Sequence, residues 1–139
     1  MNQRIFNRCV EIAKALRPKY KKGKSHHCSF AIKKGKIVCI GVNDYDCMHP
    51  YHKFGKYQNH KGYEDEYKPS KHSEVDLAIK LGEDSWSGLE ILNVRIGNDM
   101  RVRMSKPCTN CSNIIIKPLR PKKVFYSDNK ENVIEMEIK

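Results

Sequence analysis

The sequence predicts a three-layer α/β/α fold around a mixed five-stranded sheet. Apolar residues switch along the chain between helical and strand spacing, so helices and strands alternate. Two strand–helix–strand units call for right-handed crossovers, which place their strands parallel. The last two strands are separated by only five polar residues, Asp128–Asn132, which are too few for a helical crossover. The sheet should therefore end in an antiparallel pair.

The first predicted elements are an amphipathic helix and a hairpin. The apolar residues of the helix recur at i, i+4, i+7, i+8 and i+11: Ile5, Cys9, Ile12, Ala13 and Leu16. Pro18 should end this helix. The hairpin consists of the apolar runs Cys28–Ile32 and Ile37–Val42 on either side of the turn signal Lys33–Lys36.

The second half of the chain contains two predicted helices and three strands. One helix opens at His72, has Ser70 in its N-cap region and stops at Gly82; it is apolar nearly all round, which predicts burial. The other covers Cys108–Ile116 and is closed by Lys117-Pro118. The strands are expected at Ile91–Gly97, Lys123–Ser127 and Val133–Ile138, the last as a half-buried edge strand.

Size and charge narrow the class of protein. A chain of 139 residues is of single-domain size, so we expect residues 1–139 to form one domain. The net charge is +11, and residues 1–36 hold eleven Lys/Arg against the single acid Glu11. A basic N-terminal third suits the phosphates of a nucleotide or of nucleic acid, and a solvated lysine-rich surface explains it equally well.

Cellular location follows from the apolar content of the chain. The N-terminus lacks the apolar core of a signal peptide, and no stretch approaches the roughly 20 apolar residues of a membrane span. We therefore expect a cytoplasmic protein that does not associate with membranes. Its six cysteines are expected to be reduced thiols.

Residues 44–71 lack any helix or strand pattern over 28 positions. This segment holds five of the seven tyrosines, together with Phe54 and three histidines among lysines. Aromatic and cationic side chains of this kind bind single-stranded nucleic acids in many proteins. They equally allow a loop without secondary structure to pack against its own domain. Four side chains in it are candidate ligands of a second metal, although their spacing is generic: Cys47, His49, His52 and His60.

Two motifs carry the chemistry, His72–Glu74 and Pro107–Cys111. They supply one imidazole, two thiols and a carboxylate. A structural zinc site uses four N/S ligands, whereas a catalytic site uses three and keeps the fourth position for water. Both motifs begin helices, whose N-termini favour the thiolate forms of Cys108 and Cys111. The residues therefore predict a catalytic zinc held by His72, Cys108 and Cys111.

Glu74 completes this interpretation, because it can approach a zinc-bound water without binding the metal. Zinc lowers the pKa of such a water to about 7, so that Glu74 can take its proton, deliver it to a ring nitrogen and pass another to departing ammonia. A redox Cys-x-x-Cys pair or a structural zinc knuckle would have no use for this carboxylate. H-x-E followed by P-C-x-x-C is the pattern of zinc-dependent nucleobase deaminases.

From Cys28 to the C-terminus the chain resembles the cytidine deaminase superfamily, and within it the small CMP/dCMP-type deaminases of phages and large viruses. The resemblance rests on Gly41–Tyr45 (G-x-N-x-Y), His49-Pro50, the H-x-E motif and Lys106–Cys111 (K-P-C-x-x-C). It implies the cytidine-deaminase-like form of the predicted fold and a single deaminase domain with a long loop at about 44–71.

The resemblance also implies roles for individual residues. His72, Cys108 and Cys111 would hold Zn²⁺, and Glu74 would carry protons. Asn43 would bind the substrate sugar, and the backbone of Ser105 and Lys106 would receive the amino group. Tyr126, at the end of a strand near the expected site, would stack on the base or belong to the core.

Two positions depart from the pattern of the family. Ser73 stands where most relatives have alanine, and it is counted among the candidate substrate-binding residues. Asp44 follows Asn43 where the regulated dCMP deaminases typically have glycine, so triphosphate regulation and a hexamer are not implied. A homo-oligomer remains open.

The function favoured by these residues is hydrolytic deamination of cytosine to uracil in a nucleotide, and conversion of dCMP to dUMP is the reaction that we expect first. One alternative is a deaminase of cytosine or adenine in single-stranded DNA or RNA, which the basic N-terminal third and the aromatic segment favour. Another is a catalytically silent, zinc-stabilised nucleic-acid-binding module. The intact Glu74 argues against this last alternative.

Overall fold

The computed structural model describes residues 1–17, 25–43, 72–82 and 86–138. Within these ranges six strands form one mixed sheet, with helices on both faces. The predicted three-layer architecture is confirmed. Pro18, Ser70 and the segment 44–71 lie outside the described residues, and so do the candidate second-metal ligands Cys47, His49, His52 and His60.

The elements follow one another in the predicted order. They are α1 (Gln3–Leu16), β1 (His26–Lys33), β2 (Lys36–Val42), α2 (Ser73–Leu81), β3 (Glu90–Ile96), β4 (Val102–Arg103), α3, β5 (Lys123–Ser127) and β6 (Val133–Met136). Helix α3 consists of the turn Thr109–Cys111, the π-helical turn Ser112–Ile116 and the turn Lys117–Leu119. None of the described helices is both long enough and apolar enough to span a membrane.

The sheet has the order β2-β1-β3-β5-β6. Strand β1 is antiparallel to both β2 and β3, β3 is parallel to β5, and β5 is antiparallel to β6, as predicted for the last pair. The prediction of five strands was wrong by one. Strand β4 has only two residues, which pair with Arg95 and Ile96 of β3, and so short a strand has no periodicity in the sequence.

One face of the sheet is covered by α1. The helix buries Phe6, Cys9 and Ala13 against the sheet. The sheet residues of this apolar cluster are Cys28, Phe30, Ile32, Leu92, Val94, Ile96, Val102 and Phe125. The predicted helix face is largely confirmed, although Ile5, Ile12 and Leu16 lie at its half-buried margins.

The other face is covered by α2 and α3. Its apolar cluster includes Ala31, Val75, Leu77, Ala78, Trp86, Ile91, Cys111, Ile115, Ile116 and Val124. Helix α2 is buried from Ser73 to Ala78, but Ile79 is 48% exposed, so the predicted burial all round this helix was wrong. An apolar composition alone does not say which side of a helix finds a partner.

Helix α3 was predicted to close at Lys117-Pro118, and it continues to Leu119. The backbone N–H of Lys117 donates to Ser112 O, five residues earlier, in the π-helical pattern. This wider turn comes just before Pro118, whose ring would clash with the carbonyl four residues back in a regular α-helix. The wider turn explains how the helix accommodates the proline.

Candidate active site

The three predicted metal ligands meet at the N-termini of α2 and α3. His72 is the N-cap residue of α2, and Cys108 is the N-cap residue of the first turn of α3. His72 Nδ1 lies 3.7 Å from Cys108 Sγ and 3.5 Å from Cys111 Sγ. The ligand atoms of the three residues all lie within 4.8 Å of one another. The fold therefore brings together an imidazole and two thiols from distant parts of the chain.

This spacing fits a tetrahedral metal. Zinc binds cysteine sulfur at about 2.3 Å and histidine nitrogen at about 2.0–2.1 Å, which implies a nitrogen–sulfur separation of about 3.5–3.6 Å at a tetrahedral angle. The two observed separations are 3.5 and 3.7 Å. Among the described residues the group has three members, the number that leaves one coordination position for water.

The two thiols are electrostatically unequal. Cys108 Sγ accepts a hydrogen bond from the backbone N–H of Cys111 at 3.3 Å. Hydrogen bonding from the Cys111 thiol, and then from His72, lowers the pKa of Cys108 to about 4. The hydrogen bond to Cys108, together with burial, raises the pKa of Cys111. These opposite shifts favour the thiolate at Cys108 and the thiol at Cys111, and binding of a cation by both sulfur atoms would release the Cys111 proton.

Glu74 lies beside this donor group without belonging to it. The side chain is buried in the first turn of α2. Burial raises the pKa of Glu74, while the neighbouring His72 acts in the opposite direction. A carboxyl group whose pKa is raised toward neutrality is suited to accept and return a proton.

Ser73 and Asn93 each contact one oxygen of the Glu74 carboxylate. Ser73 Oγ lies 3.0 Å from Glu74 Oε1, and Asn93 Nδ2 donates to Oε2 at 3.3 Å. Asn93 Nδ2 also donates to the carbonyl oxygen of Ser105 at 3.4 Å. Both neighbours of this nitrogen are acceptors, which fixes the orientation of the amide and turns its oxygen toward Ser29.

Ser29 closes the contacts into a ring of four side chains, the carboxylate ring: Ser29, Ser73, Glu74 and Asn93. Ser29 Oγ donates to Asn93 Oδ1 at 2.7 Å and lies 2.8 Å from Ser73 Oγ. Each serine has one hydroxyl hydrogen, and that of Ser29 is used on Asn93. The Ser73 hydroxyl donates to Glu74 Oε1, and this hydrogen bond opposes the effect of burial, which raises the pKa of Glu74.

Gly41 allows α2 to approach the sheet closely, and Asp76 bonds α2 to strand β2. A Cβ atom at Gly41 would lie 2.4 Å from Ser73 O and 2.5 Å from Leu77 N, so a side chain there would collide with backbone. Asp76 Oδ2 accepts from the backbone N–H of Val42 at 2.9 Å and lies 2.8 Å from Lys80 Nζ. These contacts set the depth of the helix turn that contains Ser73 and Glu74.

The candidate substrate-binding residues occupy different environments. Asn43 is 4% exposed, and its amide bonds to the backbone at the start of β1, accepting from His27 N at 2.9 Å and donating to Ser25 O at 3.3 Å. Ser73 is enclosed in the carboxylate ring.

Ser105, another candidate substrate-binding residue, is buried, and its hydroxyl donates to Asn93 O at 2.6 Å. Contacts of these residues with a substrate stay predictions.

Lys106 and Tyr126 line a groove of about 490 Å³ beside Cys108. The groove lies between α3 and the last residues of the chain. Its other lining residues are Pro107, Thr109, Ser112, Asn113, Ile116, Lys117 and Glu135–Ile138. Tyr126 is thus half-buried at a surface that adjoins a candidate metal ligand, and it is not a core residue.

Sequence reasoning missed Ser29, Asn93 and His27. Ser29 and Asn93 are 0% and 4% exposed. A polar residue at an inward position of an otherwise apolar strand is the signal that could have found both. His27 lies near His72; burial, the Arg95 guanidinium and His72 lower its pKa to about 4. Its neutral imidazole adds a polar group to this side of the site.

Comparison with solved structures supports the fold. The apo dCMP deaminase of the cyanophage S-TIM5 matches with a TM-score of 0.52 and 20% identity, over 92% of this chain and 86% of that chain. The same enzyme in complex with dCMP and dUMP matches with a TM-score of 0.52 and 20% identity, over 92% and 84%. Neither protein-family models nor curated proteins match the sequence. The chain therefore has the cytidine deaminase-like fold, as the resemblance of the motifs implied.

Proposed function

We propose that this protein is a zinc-dependent hydrolase that converts cytosine to uracil in a nucleotide, with dCMP as substrate and dUMP as product. One observation carries the proposal: a buried carboxyl group, Glu74, lies beside a His-Cys-Cys donor group and outside it. A structural metal site has no need of such a group. The complex of the cyanophage dCMP deaminase with dCMP and dUMP supports the choice of nucleotide.

His72, Cys108 and Cys111 would hold the zinc, which supplies a Lewis acid that lowers the pKa of a coordinated water to about 7. Glu74 takes a proton from the attacking water and delivers it to the ring nitrogen of the base. It then passes the second proton of that water to the amino group, and the C–N bond breaks as the water oxygen becomes the carbonyl oxygen of uracil and ammonia leaves. Proton transfer of this kind contributes about 10²–10⁴-fold to the rate.

The remaining residues bind and orient the substrate. Asn43 lies at the end of β2, where it would hydrogen-bond the sugar. The backbone at Ser105 and Lys106, next to Pro107, would accept the amino group of the base, and Tyr126 would stack against the ring. Ser73 acts on the substrate through Glu74, because its hydroxyl lies between Glu74 and Ser29.

A second candidate function is deamination of a base in single-stranded nucleic acid. The groove beside Cys108 favours it, since Lys106, Lys117 and Tyr126 all line this groove and cations together with an aromatic ring suit the binding of a single strand. The mononucleotide ranks first because the sequence pattern Gly41–Tyr45 resembles that of the CMP/dCMP-type deaminases and because the cyanophage dCMP deaminase is found in complex with dCMP and dUMP. A catalytically silent binding module would have no use for Glu74.

The test is release of ammonia and formation of product from dCMP, CMP, cytidine and a cytosine-containing oligonucleotide, with Glu74→Gln protein as the control. We expect dUMP from dCMP with the wild-type protein. Oligonucleotide binding is measured in parallel from about 50 to 200 mM salt. Steeply salt-dependent binding with deaminated oligonucleotide, and no dUMP, would contradict the nucleotide assignment in favour of the second candidate.

A further inference from the structure

We propose that Asn93 and Ser29 are positioning residues that fix the orientation of the Glu74 carboxylate toward the reacting atoms. The inference deepens the proposed function and rests on it for the role of Glu74. Neither residue belongs to the two sequence motifs. They are placed at the site by the sheet, where Ser29 of β1 and Asn93 of β3 are direct cross-strand partners.

The first step is that both oxygens of the carboxylate are held. Ser73 contacts Oε1 at 3.0 Å, and Asn93 donates to Oε2 at 3.3 Å. Contacts to both oxygens prevent rotation of the carboxylate about its terminal torsion, which is otherwise a soft degree of freedom. Asn93 is 4% exposed, so solvent is a poor substitute for its N–H group.

The second step is that Ser29 holds Asn93. Its hydroxyl donates to Asn93 Oδ1 at 2.7 Å, the shortest of these three hydrogen bonds of the Asn93 amide. Removing this hydroxyl leaves a buried carbonyl oxygen without its donor, and the amide can then turn. Ser29 therefore acts on Glu74 through Asn93, and also through the 2.8 Å contact with Ser73.

The third step joins the carboxylate to the backbone that precedes Cys108. Asn93 Nδ2 donates to Ser105 O at 3.4 Å, and the Ser105 hydroxyl donates to Asn93 O at 2.6 Å. One side chain thus sets the position of the proton carrier relative to the backbone proposed to receive the amino group. A displacement of about 1 Å between reacting groups can cost about 100-fold in rate.

The test is Ser29→Ala, with Cys28→Ala as the matched control. Each substitution removes one buried heteroatom from β1, but Cys28 faces α1 and bonds to His26 Nε2 at 3.0 Å. For Ser29→Ala we expect kcat for dCMP to fall about 10- to 100-fold, with KM, the Kd for dUMP and the zinc content unchanged. Cys28→Ala should lower the melting temperature and leave kcat unchanged. Ser29→Thr, which keeps the hydroxyl, should restore most of kcat.

A second arm does not depend on turnover. Crystal structures of wild-type and Ser29→Ala protein loaded with zinc should differ in the plane of the Glu74 carboxylate and agree at His72, Cys108 and Cys111. An unmoved carboxylate, or a kcat that stays within threefold of wild type, would overturn the proposal. Wild-type protein without activity on dCMP, combined with a rotated carboxylate in the variant, would refute the proposed function and uphold the positioning role.

Discussion

The two faces of the central sheet differ in what they bury, although they are built from the same strands. On β1, Cys28 faces α1 and Ser29 faces α2. On β3, Leu92 faces α1 and Asn93 faces α2. Under α1 the buried side chains are mainly apolar, with His26 and Arg17 as the polar exceptions. Under the start of α2, four polar side chains are buried together and bond to one another.

This difference separates stability from chemistry. Burial of apolar area stabilises the fold by roughly 25 cal/mol per Å², whereas buried polar groups at best offset their desolvation through hydrogen bonds. The carboxylate ring is therefore a weak source of stability, and its geometry fits the proton transfer that we propose for Glu74. Substitutions under α1 should change the free energy of unfolding alone, whereas substitutions in the ring should change turnover, with a loss of stability where a buried polar group is left unpaired.

The largest effect on the polar face is expected for Glu74→Gln. Glutamine is nearly isosteric with glutamate and cannot carry the proton, so turnover should fall by about 10²–10⁴-fold. Zinc content and melting temperature should stay near wild type, because the metal ligands are intact. Ammonia release and elemental analysis measure these quantities. Wild-type turnover by the variant would show that another group carries the proton.

The matching change on the apolar face is Phe30→Ala. Phe30 is 0% exposed under α1, and its removal should lower the free energy of unfolding by about 3–5 kcal/mol. Turnover per folded molecule should be unchanged, since Phe30 faces away from Glu74. Denaturant titration measures the free energy of unfolding, and kcat is measured at low temperature, where the variant stays folded. Val38→Ala on β2 is the control, because the Val38 side chain is half-exposed. A large loss of kcat in folded protein would contradict the separation of the two faces.

Gly41→Ala should affect stability and turnover together. The new Cβ would collide with Ser73 O and Leu77 N, and overpacking of this kind costs about 1–3 kcal/mol. Because Ser73 precedes Glu74, the shift of α2 should also lower kcat. Gly35→Ala provides the comparison: φ is +76° there, so alanine is strained, but the hairpin turn is remote from the carboxylate ring. Equal kcat values for the two variants would contradict the role of Gly41.

An effect of similar size is expected in acid, where protonation of His26 on the α1 side should lower the free energy of unfolding. Burial, assisted by Arg17, lowers the pKa of His26 to about 4. In the unfolded chain His26 has its ordinary pKa of about 6.5 and binds a proton below that pH, whereas His26 of the folded protein stays neutral down to about pH 4. The free energy of unfolding therefore falls as the pH drops from about 6.5 to about 4. At pH 5 this amounts to about 2 kcal/mol. Denaturant titrations at pH 7 and pH 5 should show a smaller loss for His26→Gln than for wild type; equal losses would contradict it.

The grouping of His72, Cys108 and Cys111 was predictable because donor type and spacing are properties of the sequence. The fold class followed from periodicity and from the short connection before β6. The carboxylate ring was not predictable in the same way, since Ser29 and Asn93 meet only through the register of β1 on β3. Likewise, the exposure of Ile79 and the π-helical turn before Pro118 depend on tertiary packing and on a local backbone choice that apolar patterns do not encode.

The central claim is a metal centre with three protein ligands and an open position beside Glu74. Zinc K-edge X-ray absorption, combined with elemental analysis of wild-type and Cys108→Ser protein, tests it most directly. The account predicts one zinc per wild-type chain, with two sulfur atoms at about 2.3 Å and two nitrogen or oxygen atoms at about 2.0–2.1 Å, and zinc largely lost from the variant. Three or four sulfur ligands, or full zinc content in Cys108→Ser, would contradict it.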